Sequence, residues 1–230
     1  MVTKQTDDFA SLDYLAGETL LVDKPPQWTS FKVVHTIRKA INVKRVGHTG
    51  TLDPLATGLL IILTGKNTKQ MMNFEGLSKS YTGTFLLGRT SPSMDTETEM
   101  TNRDLPENLN DDLIFKTRDT FLSWIEQIPP MYSALKVNGK KLYDLARRGK
   151  EVERKPRKVQ IYRFEITRID IPEIHFDIKC SKGTYIRVIA NDFGEKLGCG
   201  AALSKLRRTE IGDYSVNDAL SVEEFMQNIV

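Results

Sequence analysis

Gly47-His48-Thr49-Gly50-Thr51-Leu52-Asp53-Pro54-Leu55-Ala56-Thr57-Gly58-Leu59-Leu60 is the most unusual stretch of the sequence. Its glycines permit tight turns and close approach by another backbone. Pro54 pushes Asp53 out of the helical region, so the carboxylate projects from a loop. Residues 59–63 form a short apolar run, the pattern of a buried strand, which would anchor that loop. A carboxylate held on a rigid loop is what nucleophilic catalysis requires. The Asp53-Pro54 dipeptide alone also fits a plainer role, a helix cap with proline in the first turn.

Upstream, residues 18–22 read as a short buried strand, and Thr29 or Ser30 caps a helix with apolar positions Phe31, Val34, Ile37 and Ile41. Residues 1–14 read as a polar, frayed tail. Downstream, a short helix is expected over 67–74 and a strand over 81–87. Residues 91–112 hold seven acidic side chains against one basic, the character of a surface excursion. A helix is expected over 117–125, broken by Pro129-Pro130, and a short basic one over 142–148. Residues 159–169 and 174–180 alternate like antiparallel strands. A helical pattern over 184–197 stops at Gly198, and Ser221 with Glu224 forms a capping box. Helices mixed with both kinds of strand give an α/β or α+β class.

The chain has 230 residues, 40% hydrophobic and 27% charged, enough for an ordinary core. Net charge is only +3, but residues 131–158 carry ten basic and three acidic side chains. A basic stripe on a near-neutral protein is the footprint of phosphate binding, although a charge run alone is more often a solvated face. Cys180 and Cys199 form no CxxC pair, and the longest apolar run, 59–63, is far too short to cross a membrane. A soluble, cytoplasmic protein is the expectation. Gly65-Lys66 lacks the spacing and the Ser or Thr of a phosphate-binding P-loop. The three histidines lie far apart, so no zinc site is expected, and neither a GxSxG elbow nor a dinucleotide fingerprint occurs. The segment Cys180-Ser181-Lys182-Gly183-Thr184-Tyr185-Ile186-Arg187 is a second candidate. Arg187 could pair with a carboxylate, or be an ordinary surface arginine. Tyr81 could stack on a base, or be a half-buried strand residue.

Taken together, these pieces resemble the tRNA pseudouridine-55 synthase family of the TruB type. The resemblance is carried by Asp23-Lys24-Pro25, Thr29-Ser30, the segment from Gly47 to Gly58, Lys79-Ser80-Tyr81, Pro129-Pro130-Met131-Tyr132-Ser133-Ala134, Lys182-Gly183-Thr184-Tyr185-Ile186-Arg187 and Leu206-Arg207-Arg208-Thr209. They occur in the family's order and span most of the chain. The resemblance implies a bent, mixed central sheet flanked by helices, with a catalytic cleft across it. It puts Asp53 on the catalytic aspartate and Tyr81 on the tyrosine that stacks on the target base. Tyr185 and Arg187 fall on pocket residues, the arginine pairing with the aspartate. His48 falls on a histidine that holds the T-loop open, and Lys24 on a motif beside the pocket. Residues 131–158 correspond to a mobile basic insertion, with Lys140, Lys141, Arg147 and Arg148 on the RNA backbone. Two departures stand out. Gln27 stands where the family usually has a glycine, and a short form without the C-terminal PUA module of many relatives is expected.

The implied enzyme breaks the N1–C1′ bond of a uridine, turns the uracil and rejoins it through C5, with no redox change, cofactor or metal. The base must first leave its stack. Asp53 acts ionised, and attack at C6, attack at C1′ and a glycal route all remain open. The expected partner is the T-arm stem-loop of tRNA, with no membrane, no obligatory protein partner and a monomeric chain. The expected organisation is the polar tail followed by one catalytic domain over 15–230. An RNA chaperone without chemistry, or a synthase acting on another RNA, are the rival readings.

Overall fold

The computed structural model describes residues 1–137 and 139–229, without the side chains of Lys136 and Lys141. In chain order the elements begin with β1 (Thr19–Lys24), α1 (Ser30–Ala40), β2 (Val46–His48), β3 (Thr57–Thr64), α2 (Met71–Glu75) and β4 (Lys79–Leu87). There follow β5 (Arg89–Thr90), β6 (Thr101–Asn102), α3 (Asp111–Asp119), β7 (Ser123–Gln127), β8 (Lys136–Val137), β9 (Lys140–Lys141) and α4 (Leu142–Ala146). The last are β10 (Arg157–Asp170), β11 (Glu173–Cys180), α5 (Ile186–Leu197), β12 (Ala201–Ile211), β13 (Tyr214–Ser215), β14 (Leu220–Ser221) and α6 (Val222–Ile229). Helices and mixed strand pairing bear out the α/β reading. The chain divides into two compact units, residues 1–82 with 205–230, and residues 83–204. One catalytic domain over 15–230 was the expectation.

In the first unit β1 and β3 pair antiparallel, from Thr19 opposite Leu63 to Lys24 opposite Gly58. β14 joins β1 in parallel and β12 joins β3 in parallel, so the sheet is mixed. Leu59 to Leu63 of β3 are fully buried, because both faces of the strand are covered. Leu60 and Ile62 pack with Val33, Val34 and Ile37 of α1 and Phe225 of α6. Leu59, Ile61 and Leu63 pack on the other side with Phe74, Ile211 and Val216. Residues 1–14 do not fray. Val2 is fully buried and its backbone bonds to Thr19 and Leu21, while Phe9 packs edge-on against Phe225. Scattered apolar residues in a polar segment sufficed to dock it. Phe31 also departs from expectation: α1 buries Ser30, Val33, Val34 and Ile37, and Phe31 is 65% exposed.

In the second unit β10 pairs with β11 and with β7, both antiparallel. Alternate residues of β11, from Ile174 to Cys180, face inward, as their pattern implied. Phe85, Phe164, Phe176 and Phe193 form the core, with Phe85 and Phe176 centroids 4.3 Å apart. The helix expected over 117–125 is instead α3, capped by Asn110, which accepts from the Leu113 N–H at 2.9 Å. Ser123 then takes a φ of +82°, and residues 123–127 join β10 as a strand. Pairing with β10 and the β-prone Trp124-Ile125 override a helical spacing of apolar residues. The acidic excursion is also not wholly at the surface, since Ser93 and Asp95 are buried.

One glycine carries the approach of two strands. Gly58 has a φ of +102°, and a Cβ there would lie 2.2 Å from the carbonyl oxygen of Arg208 on β12. Gly58→Ala should therefore cost more than about 2 kcal/mol, read as a lowered midpoint in thermal or urea unfolding. A midpoint equal to wild type would show that β12 can move away from β3.

Candidate active site

Asp53 sits in a turn between β2 and β3, closed by the Ala56 N–H donating to the Asp53 carbonyl at 3.1 Å. No helix starts there, so the capping role is excluded. Both neighbours of Asp53 are pinned. Before it, the Ser30 hydroxyl accepts from the Leu52 N–H at 2.9 Å and donates to the Leu52 carbonyl at 3.1 Å. After it, the Pro54 carbonyl accepts from the Gln27 N–H at 2.8 Å and from Lys24 Nζ at 3.2 Å. The loop's approach is held by Arg208, whose Nη2 donates to the Gly50 carbonyl at 3.1 Å and Nε to the Leu59 carbonyl at 2.7 Å. Asp53, half-buried, is thus carried between two hydrogen-bonded neighbours.

Lys24 does not reach outward. Its side chain is fully buried, and Nζ also donates to the carbonyls of Pro25 at 3.0 Å and Trp28 at 2.7 Å. An ammonium has three protons, and each has a carbonyl. Its geometry is that of a residue positioning the Asp53 loop, not of one touching a ligand. Burial, partly offset by the Asp53 carboxylate, brings its pKa down to about 8, with Arg208 adding to the fall and Asp23 opposing it.

His48 lies in β2, and its Nδ1 accepts from the Gly50 N–H at 3.3 Å. That contact leaves the proton of the neutral ring on Nε2. Burial and then the neighbouring Arg208 lower its pKa, so the imidazole is neutral at pH 7. Tyr81 is buried in β4 at 8% exposure. Gln27, where the resemblance expects glycine, has a φ of +63°, the left-handed conformation that glycine adopts freely.

In the second unit Tyr185 caps α5 and Arg187 lies in its first turn. Arg187 is 3% exposed, not a surface arginine; its Nη1 lies 3.9 Å from Asp95 Oδ2 and 3.4 Å from the Ser93 carbonyl. Tyr185 is held from both sides. The Gln127 amide accepts from the Tyr185 N–H at 3.0 Å and donates to its carbonyl at 3.1 Å, and the Arg157 guanidinium lies 4.4 Å from the ring centroid. Gln127 and Asp95 had no role assigned from sequence, Arg208 appeared only within a motif, and Ser30 appeared as a helix cap and motif residue, not as a support of the Asp53 loop. Asp95 sat in a stretch whose acidity disguised it, whereas Gln127 acts on backbone groups, which no motif specifies.

Lys140, Arg147 and Arg148 are exposed, on β9 and just after α4. Arg147 Nη2 lies 3.5 Å from Glu97. The side chain of Lys141 lies outside the described residues. No helix among the described residues is long and apolar enough to cross a membrane.

The fold has relatives among solved structures. A chain of the Cbf5-Nop10-Gar1 complex matches with a TM-score of 0.71 and 25% identity, over 97% of this chain and 61% of that one. An H/ACA ribonucleoprotein bound to a substrate RNA containing 2′-deoxyuridine matches at 0.69 and 24% identity, over 93% and 54%. This chain therefore spans less than two thirds of either. Relatives by sequence match over more than nine tenths of this chain. A Flavobacterium johnsoniae protein named tRNA pseudouridine synthase B is 47% identical over 224 residues, covering 94% of this chain and 98% of that protein. One of the same name from Chloroherpeton thalassium is 49% identical over 219 residues, covering 93% and 91%. The class is that of the pseudouridine synthases, isomerases that reattach uracil to its ribose through carbon. The model of the TruB family pseudouridylate synthase N-terminal domain matches residues 38–186, and that of the tRNA pseudouridylate synthase B C-terminal domain matches 187–230. The chain belongs to the TruB family.

The buried ammonium makes a pH test possible. Its folded pKa, about 8, lies below its ordinary 10.5, so the unfolded chain holds the extra proton between those values. Stability contributed by Lys24 must then rise with pH across that window. The unfolding free energy of wild type minus that of Lys24→Met, measured in urea, should grow from pH 8 to pH 10.5. A difference that shrinks would mean that the Asp53 carboxylate outweighs burial.

Proposed function

We propose that the enzyme converts uridine 55 in the T-loop of tRNA to pseudouridine, and that Asp53 is the carboxylate on which the isomerisation depends. The observation that carries this reading is the loop of Asp53, fixed on one flank by the buried Ser30 hydroxyl and on the other by the buried Lys24 ammonium and the Gln27 N–H. A group that must meet a flipped nucleotide at one fixed distance needs such support. The relatives' shared name supplies the substrate.

The target base leaves its stack, the N1–C1′ bond breaks, and the uracil turns to present C5. A C5–C1′ bond forms, the C5 proton is lost, and N1 gains one, so the product is an isomer. Tyr81 stacks on the base, which recovers roughly 1–3 kcal/mol of the unstacking cost. Tyr185 and Arg187 bind the same nucleotide. His48, neutral with its proton on Nε2, offers a donor to the opened loop. The segment 131–158 closes over the stem-loop, with Lys140, Lys141, Arg147 and Arg148 against phosphates.

Asp53→Asn removes the charge and keeps the size. Pseudouridine formation on unmodified tRNA, mapped at base resolution, should fall by about a thousandfold, ~4 kcal/mol in the barrier, while tRNA binding persists. Turnover near the wild-type rate would overturn the role of Asp53. Removing the charges of Lys140, Lys141, Arg147 and Arg148 should flatten the salt dependence of binding, by up to about 0.9 in log–log slope for each duplex phosphate no longer neutralised. An unchanged slope would place the phosphate contacts on other residues.

A further inference from the structure

Between Trp28 and Arg45 the chain has five basic side chains, Lys32, Arg38, Lys39, Lys44 and Arg45, and no acidic one. This run is separate from 131–158. α1 turns it into a surface. With Val33, Val34 and Ile37 buried against the sheet, Phe31, Lys32, His35 and Lys39 are left exposed. Phe31, His35 and Lys39 follow one another at four-residue spacing, on one line along the helix. The Phe31 and His35 rings stack, 6.5 Å between centroids and 24° between planes. Lys32 Nζ lies 3.9 Å from the centroid of Trp28.

A single exposed phenylalanine needs no explanation. A stacked ring pair, with Lys32 next to it set over Trp28, in a run of the chain that holds cations and no acidic residue, is a different surface. Aromatic faces take bases of any sequence, and cations along the same line take the phosphates between them. An acidic protein segment would satisfy the cations but not the stacked rings. The surface is also joined to the catalytic loop within one unit. Trp28 and Ser30, at the start of α1, bind Lys24 and Leu52, and Gln27 binds Pro54.

We propose that the exposed face of α1 is a second RNA-contact surface, where the Phe31–His35 pair stacks on an unpaired nucleotide of the substrate and Lys32 and Lys39 meet its phosphates. This rests on the reading of the enzyme as acting on a tRNA arm. It assigns to α1 a share of affinity that the basic segment 131–158 does not supply.

The test is a triple variant, Phe31→Ala, Lys32→Gln, Lys39→Gln, in the full chain. A charge-matched control is Lys4→Gln with Lys116→Gln, both exposed. Binding of a T-arm stem-loop and of whole unmodified tRNA is measured at several salt concentrations, together with thermal unfolding. The triple variant should unfold at the wild-type temperature and bind both RNAs about tenfold or more weakly. Its log–log salt slope should be shallower by more than the control's. Phe31→Tyr, which keeps a stacking ring, should restore part of the affinity in the Lys32, Lys39 background. Binding equal to the control's for both RNAs would overturn the proposal. So would a defect confined to self-association in sedimentation, which would make the face a protein interface. If wild type itself neither binds nor modifies the stem-loop or the tRNA, the substrate reading fails instead.

Discussion

Everything about the site depends on backbone carbonyls being solvated by cations from inside the protein. Lys24 donates to three carbonyls, and Arg208 to two. Two of the five, those of Gly50 and Pro54, belong to the loop that holds Asp53. Burying a cation is costly unless its donors are used, so these side chains tolerate only a narrow arrangement of the loop. A neutral hydrogen bond would fix the loop less firmly than a charge-assisted one. Lys79 repeats the device after α2, donating to the carbonyls of Glu75 and Leu77 at 2.7 Å each.

The strain the loop demands is placed beside it. Gln27 holds a left-handed φ that costs an L-residue of this kind roughly 1–2 kcal/mol, and its N–H thereby meets the Pro54 carbonyl. Gly58 meets a related demand without a side chain, because β12 passes too close for a Cβ. The backbone on each side of Asp53 is fixed by Ser30, Gln27 and Lys24, so the residues that position the loop are neighbours of Asp53 and not Asp53 itself.

What the sequence disclosed follows from how each interaction is encoded. The buried strand at 59–63, the hairpin of β10 and β11, and the stop at Gly198 were legible because burial and positive φ select residue types directly. The loop position of Asp53 was legible only within its long motif, since Asp-Pro alone also starts helices. Lys24 was visible as a motif residue but its direction was not: a lysine is ordinarily exposed, and only the fold turns this one inward. Gln127 was invisible, because an amide that mimics a strand neighbour to Tyr185 could sit on many elements. The helix expected over 117–125 failed because pairing with β10 is a long-range fact. Phe31 failed because its spacing suits a core that Val33, Val34 and Ile37 already fill.

The same distinction governs how charge should be counted. Sequence tallies treat every lysine and arginine as available to phosphate, yet Lys24, Lys79, Arg187 and Arg208 are buried. Within 131–158, Arg154 turns toward Glu151 and the Pro129 carbonyl, and Arg157 toward Gly183 and Tyr185. Those two cations order the protein before any RNA arrives, and part of their charge is already engaged there. In the run from Trp28 to Arg45, Lys32, Lys39, Lys44 and Arg45 are exposed, and Arg38 is partly withdrawn, toward the Val46 carbonyl at 3.4 Å. Exposed cations therefore remain for a polyanion in both runs, with Lys140, Arg148, Lys150, Lys155 and Lys158 among those of the longer segment. A basic stretch acts as an RNA surface through what its cations leave unbonded, and that quantity is set by the fold.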